Sequence, residues 1–188
     1  IALIGAETLS RIVGWSDRGT CITFGDGAGA VIFEAGEPDI TKGCGLLDIV
    51  LYSDGRLGEL LHVPGGVSMG NMEAKLTMHR KEVFIHAIHK VTASARELLK
   101  KTGLDVEDVD WMVLHQANYR ILTGVAERLG IPEEKIIKTV GSQGNTSSAS
   151  IPLALDYAYR SGKVSVGDII LTGSLGAGLT WGCALLQC

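Results

Sequence analysis

Residues 111–130 read WMVLHQANYRILTGVAERLG. The run WMVL is apolar throughout and too short for a helix, as expected of a strand buried on both faces. From Ala117 the period changes. Ile121, Val125 and Leu129 recur every four residues, and Gly130 stands where a left-handed helix cap belongs. A buried strand therefore passes into an amphipathic helix through His115 and Gln116, with no Gly or Pro between them.

The same grammar extends both ways. Upstream, residues 73–102 carry Phe84, Ile88, Val91, Ala95 and Leu98 at alternating four- and three-residue spacing, with Gly103 behind them. This predicts a long helix. Downstream, KIIKTV (135–140) reads as a strand and ASIPLALDYAYRSG (149–162) as a helix with Pro152 near its start. DIILTGS (168–174) and LTWGCALLQ (179–187) read as strands joined by a short Gly link. Helix, strand, helix, strand, helix, strand, strand is the order of a layered α/β domain with a largely parallel sheet, the last two strands forming an antiparallel pair. Before residue 73 the signals are those of β structure. Residues 1–6 and 44–55 are expected strands. CITF (21–24) and AVIFEA (30–35) read as a hairpin turned by GDGAGA. Residues 56–71 are irregular and Gly-rich.

Bulk composition excludes several classes. Among 188 residues, 46% are hydrophobic and 20% charged, and the net charge is −4. No basic surface for nucleic acid is expected, nor a bilayer span. The opening IALIGAETLSR shows no basic n-region or cleavage site, so no secretory leader is expected. The four cysteines, Cys21, Cys44, Cys183 and Cys188, have no metal-ligand spacing and read as reduced thiols of a cytoplasmic protein. The chain starts without Met, inside a strand, which reads as a piece of a longer polypeptide.

In parallel α/β sheets ligands sit beyond the carboxyl ends of the strands. HQAN, GSQGN and SLGAG follow three such ends. If the strands are neighbours, His115, Asn145 and the backbone of 174–178 converge as hydrogen-bond donors suited to negative charge on a carbonyl oxygen. By spacing alone His115 reads equally well as a satisfied core histidine, and Asn145 reads more readily as a turn or helix cap. GDGAGA lacks the helix that a phosphate loop requires. TGSLG lacks the helix of a nucleophile elbow, which argues against Ser174. His79, Glu82, His86 and His89 fall within about an 80° arc of one helix, opposite its apolar stripe, and read as a solvated face rather than a metal site.

HQANYRI, GNTSSASIPLAL, GAGLTWG and DRGTCITFGDGAGAVIF together resemble β-ketoacyl-acyl-carrier-protein synthase III, along essentially the whole chain. The resemblance implies the thiolase-like fold, two similar halves layered α-β-α-β-α. Residues 1–35 would be the last strands of the N-terminal half and 36–188 the C-terminal half. It implies a decarboxylative condensation of acyl-CoA with malonyl-acyl-carrier protein, and a homodimer for the full-length protein. The nucleophilic cysteine is expected upstream of Ile1, so the isolated chain would be inactive. His115 and Asn145 match the catalytic donors and Ala177 the oxyanion-hole backbone N–H. No metal or cofactor is implied, acyl-CoA being a substrate. Arg11 matches the arginine against the CoA adenine, Asn118 a pantetheine contact, and Gln116, Arg120 and Arg128 carrier-protein contacts. Arg80 stands where the family has Gly in the substrate channel, and Leu175 where many members have Phe. GSQGN replaces a more charged stretch, and Ile85 and Glu127 replace docking cations. These departures leave two alternatives: a related acyltransferase or condensing enzyme with another acceptor, and a non-catalytic half that binds a partner.

Overall fold

The protein, described by a computed structural model over residues 1–35 and 45–188, runs β1 (Ala2–Glu7), α1 (Arg18–Cys21), β2 (Gly27–Ile32), β3 (Gly45–Ser53), β4 (Leu61–His62), β5 (Thr77–Met78), α2 (Arg80–Thr102), β6 (Trp111–Leu114), α3 (Tyr119–Leu129), α4 (Val140–Gln143), α5 (Ser150–Arg160), β7 (Ile169–Gly176) and β8 (Thr180–Gln187), with short 3-10 turns between. Cys44 and the expected 35/36 domain boundary touch the undescribed stretch.

Alternation along the strands builds the layers. Met112 and Leu114 of β6, with Leu171 and Leu175 of β7, point to one core shared with α2 and α3. Val113 and Ile170, one residue out of phase, point to a second core shared with α5. The sheet is therefore covered on both faces. On the far side of α5 lies the antiparallel pair β1–β2, whose Val31 joins the α5 core. The order is two-stranded sheet, α5, four-stranded sheet, then α2 and α3. Beyond the two-stranded sheet Ile4 and Ile32 face outward, 68% and 73% exposed.

Three expectations are corrected. The sheet is mixed, not largely parallel. Its order is β3-β8-β7-β6, and only β6–β7 is a parallel ladder. β3, lying within the strand expected at 44–55, adds to the outer edge of β8. KIIKTV is not a strand: a 3-10 turn at Glu133–Lys135 leads to a single parallel bridge, Met112 to Ile136, and then to α4. Its isoleucines are buried without a ladder. The CITF–AVIF hairpin also fails. β2 includes Gly27 and Gly29, two of the three glycines taken for the turn, and pairs with β1, while Phe24 bridges to Asn145. The glycines are there for clearance. A Cβ at Gly5 would lie 2.4 Å from the Ser148 carbonyl oxygen, and one at Gly29 would lie 2.8 Å from Pro152 Cβ.

The helices follow the sequence more closely. α2 begins at Arg80 rather than 73, because Thr77–Met78 pairs with Leu61–His62. It buries Val83, Ala87, Ile88, Val91, Ala95 and Leu98, and ends at Gly103, whose N–H returns to the Leu99 and Lys100 carbonyls. α3 starts two residues later than expected because Asn118 caps it.

Candidate active site

The site gathers at the carboxyl ends of β6 and β7. The ladder extends one residue past β6, since the His115 N–H donates to the Gly173 carbonyl at 2.9 Å. The chain then turns at once: Ala117 N–H reaches the His115 carbonyl, and the Asn118 side-chain oxygen accepts from Arg120 N–H. No Gly is needed because the cap itself makes the turn. Asn145, 6% exposed, is fixed by three contacts. Its N–H donates to Thr23 and its carbonyl accepts from Gly25, each at 2.9 Å; its side-chain oxygen accepts from Ser147 N–H. Gly144 before it has φ +68°, a conformation that favours glycine. Ser147 holds φ +51°, unusual outside glycine.

The side-chain oxygen of Asn145 being occupied leaves its amide nitrogen for a ligand. His115 Nδ1 lies 2.6 Å from Ser150 Oγ. Burial pushes His115 down to about 4, with a backbone contact to Ser147 working in the opposite direction. The imidazole is neutral at pH 7 and has one N–H to give. His115 and Asn145 line one cavity of about 250 Å³, together with Asn118, Leu175 and Ala177. Arg80 also lines it and is the one formally charged side chain among the described lining residues. The guanidinium rests against Gly19, where a Cβ would come within 2.6 Å of Arg80 Cζ. A second, open groove of about 770 Å³ meets the first at His115, Ser147, Leu175 and Gly176. The arrangement can stabilise charge on a small carbonyl compound. Among the described cysteines none lines the first cavity. Cys183 is 2% exposed and burial raises it to about 12, so it is no thiolate at neutral pH.

Six of the predicted residues thus share one cavity: His115, Asn145, Ala177, Asn118, Arg80 and Leu175. Arg11 lies outside it on the 3-10 turn Leu9–Arg11, exposed. Arg120 is at the rim, its guanidinium 5.3 Å over the ring of Phe84, which lines the cavity. Arg128 is exposed farther along α3, with Nη1 3.3 Å from His89 Nδ1. Gln116 is a correction. It is 1% exposed, donates to the Leu114 and Ile137 carbonyls, and accepts from Thr139 and Val140 N–H. A side chain so engaged cannot dock a carrier protein; it supplies the bonds that the missing 135–140 ladder would have made. The histidine face of α2 forms no group of three metal ligands among the described residues. No helix there is long and apolar enough to cross a membrane. Sequence reasoning missed Ser150 and Ser147, which read only as small residues before a helix; their contacts with His115 reach more than thirty positions along the chain, although the Ser147 bond to Asn145 is local.

Two models of one family match the chain: 3-oxoacyl-acyl-carrier-protein synthase III C terminal over residues 99–188, and 3-oxoacyl-acyl-carrier-protein synthase III over residues 1–55. A protein of Rhodobacter capsulatus called beta-ketoacyl-acyl-carrier-protein synthase III is 52% identical over 188 residues, covering all of this chain and 58% of that protein. The crystal structure of 3-oxoacyl-acyl-carrier-protein synthase III from Aquifex aeolicus superposes with a TM-score of 0.91 at 43% identity, over 100% of this chain and 57% of that one. The priming β-ketosynthase of the R1128 polyketide biosynthetic pathway superposes with a TM-score of 0.87 at 36% identity, over 100% and 56%. The chain spans a little under three-fifths of the length of the curated relatives it matches.

Proposed function

This chain belongs to the β-ketoacyl-acyl-carrier-protein synthase III family, thiolase-like in fold, and from that premise we propose that it is the larger part of an acyl-thioester condensing enzyme of type II fatty acid synthesis. Residues 1–35 close the upstream half and 36–188 form the downstream half. A cysteine upstream of this chain takes the acyl group from acyl-CoA. A malonyl thioester on acyl carrier protein then loses CO₂, and the electron pair left on its α-carbon attacks the acyl carbonyl. The new carbon–carbon bond releases the cysteine thiolate and gives a 3-oxoacyl-acyl-carrier protein.

The observation that carries this reading is the pairing of His115 and Asn145 in one cavity, a neutral imidazole and a side-chain amide whose oxygen is already bonded. Both offer N–H groups where the enolate oxygen develops charge, the role a Lewis acid would otherwise fill, so no metal or cofactor is called for. The backbone N–H of Ala177 and that of the cysteine would hold the oxyanion of acyl transfer. Arg11 and Asn118 would meet the CoA adenine and pantetheine, and Arg120 and Arg128 the acidic carrier protein. The outward Ile4 and Ile32 fit a further helical layer, and the whole enzyme would be a cytoplasmic homodimer with no nucleic acid or membrane partner.

The test is His115→Ala and Asn145→Ala in the complete protein. Malonyl decarboxylation should fall by about 10²–10³ for each, while acyl loading on cysteine is kept. Equal loss of both steps would overturn the assignment. A second reading, another acceptor in place of malonyl-carrier protein, is favoured by Arg80, a cation inside the cavity. Product analysis with malonyl-carrier protein against malonyl-CoA separates the two.

A further inference from the structure

We propose that Ser150 is a positioning residue that sets the tautomer of His115: its hydroxyl donates to Nδ1, which leaves the ring proton on Nε2 as the single donor presented to the cavity. The inference rests on His115 acting as the donor to the enolate.

Ser150 is the first residue of α5 and 1% exposed, so water does not complete its bonding. Its Oγ has two neighbours among the described residues. The Gln116 N–H, 3.2 Å away, is a donor and can only donate, so Oγ accepts there. The other neighbour is His115 Nδ1 at 2.6 Å. If Nδ1 carried the proton, Oγ would accept twice and its own hydrogen would point at no acceptor in a buried site. A buried donor left unmade biases such an equilibrium by about tenfold to a hundredfold. If Nδ1 is bare, every hydrogen has a partner: Gln116 N–H to Oγ, and Oγ–H to Nδ1. The ring is then held at Nδ1 by a group that is itself held by the backbone of the next residue, while the Ser147 backbone contact, which favours a protonated ring, works against it. The same serine thus fixes both His115 and the start of the turn behind it.

The consequence is chemical. A neutral imidazole can be a donor at one nitrogen only, and stabilising an enolate oxygen requires that this nitrogen be the one left over for substrate. With Nδ1 accepting from Ser150, the donor is Nε2. A bond to bare Nδ1 also favours the neutral ring over the imidazolium. The other titratable groups lining the two cavities that His115 shares are Arg80, Tyr52 and Cys183. None of them hydrogen-bonds the ring among the described residues.

The experiment is ¹⁵N NMR of the complete protein labelled at the histidine ring nitrogens, with His115 assigned by its loss in His115→Gln. At pH 7 the expected spectrum has His115 Nδ1 in the unprotonated range and Nε2 in the protonated range. A protonated Nδ1 overturns the proposal, whatever any variant does. In Ser150→Ala the two tautomers should mix, malonyl decarboxylation should fall about tenfold, and the acid limb of its pH profile should move to higher pH, with acyl loading kept. Ser150→Thr, which retains the hydroxyl, should restore tautomer and profile. A Ser150→Ala protein that keeps a single tautomer and the wild-type profile overturns the proposal as well. Because the spectrum needs no turnover, an unprotonated Nδ1 in a protein that fails to condense would support this inference while removing the proposed function.

Discussion

Replacing Gly5 by Ala should damage the site from a position that touches no ligand. Gly5 sits opposite Gly29 in the β1–β2 ladder, on the face turned to the loop 147–149. A Cβ there would stand 2.4 Å from the Ser148 carbonyl oxygen and 2.8 Å from the Ala149 nitrogen, where ordinary contact begins at 3.4 Å. The loop or the strand must therefore shift by about 1 Å, and backbone on both sides leaves no flexible tip to yield. Ser148 is tied to Glu7 two residues along the strand, Oγ to Oε1 at 2.6 Å, so the two pieces cannot separate without breaking that bond. The expected stability loss is about 1–3 kcal/mol. Because Ser147 holds Asn145 and Ser150 holds His115 on the same loop, a shift of that size should lower malonyl decarboxylation about a hundredfold. The assay is thermal melting beside decarboxylation for Gly5→Ala in the complete protein. Gly55→Ala, at a glycine with nothing within 4 Å, is the control. A Gly5→Ala protein that melts and decarboxylates as the wild type would refute the claim that layer contact positions the loop.

Other predictions follow from single residues. His115 lies near 4 in the folded protein against an ordinary 6.5. The unfolded chain therefore takes up the proton first as pH falls. Its contribution to stability is intact above about pH 6.5, and about 3 kcal/mol is lost between there and pH 4; urea midpoints across that window should lose this slope in His115→Gln. Gln116→Leu removes both acceptor and donor bonds of a buried amide and strands the Thr139 and Val140 N–H groups. It should cost about 3 kcal/mol and leave carrier-protein affinity unchanged once the folded fraction is matched, measured by titration with the carrier. Cys183 should resist iodoacetamide in the folded state while half-exposed Cys21 reacts, read by mass after labelling.

What the sequence disclosed divides by range. α2 and α3 were legible because their apolar stripes and the closing Gly103 and Gly130 are local signals, written within one helix. The pair β7–β8 was legible because a short Gly link brings consecutive strands side by side, antiparallel. The failures all involve a partner supplied from afar. KIIKTV has strand composition, but Gln116 from another segment takes the bonds a ladder would take, so apolar burial occurs without a strand. CITF has strand composition for a similar reason, since Phe24 makes a single bridge to Asn145 rather than pairing with 30–35. GDGAGA carries glycines that serve as turn residues in most sequences. Here Gly27 and Gly29 clear the approach of α5 and Gly25 that of the Gln143 carbonyl, a fact that no window of the sequence contains. In the site, His115 stands out locally as a polar residue just past a buried strand, whereas Asn145 follows α4 and was singled out as catalytic by the resemblance. Ser150 was not, since a serine at a helix start is ordinary until the residue across from it is known.

Clearance and bonding together explain why the loop 145–150 can hold an unusual backbone. Ser147 at φ +51° would relax in an isolated loop. Here Asn145 is bonded on both backbone sides to the 23–25 stretch, Ser148 is bonded to Glu7 of β1, and Ser150 is bonded to His115 and Gln116 beyond β6. The two-stranded layer grips the loop from one side and the four-stranded sheet from the other. Neither layer alone determines where the Asn145 amide and the His115 ring lie. Residues 1–35 therefore contribute to the site without lending it a catalytic side chain, and the glycines at 5, 25 and 29 are the positions at which sequence composition records that contact.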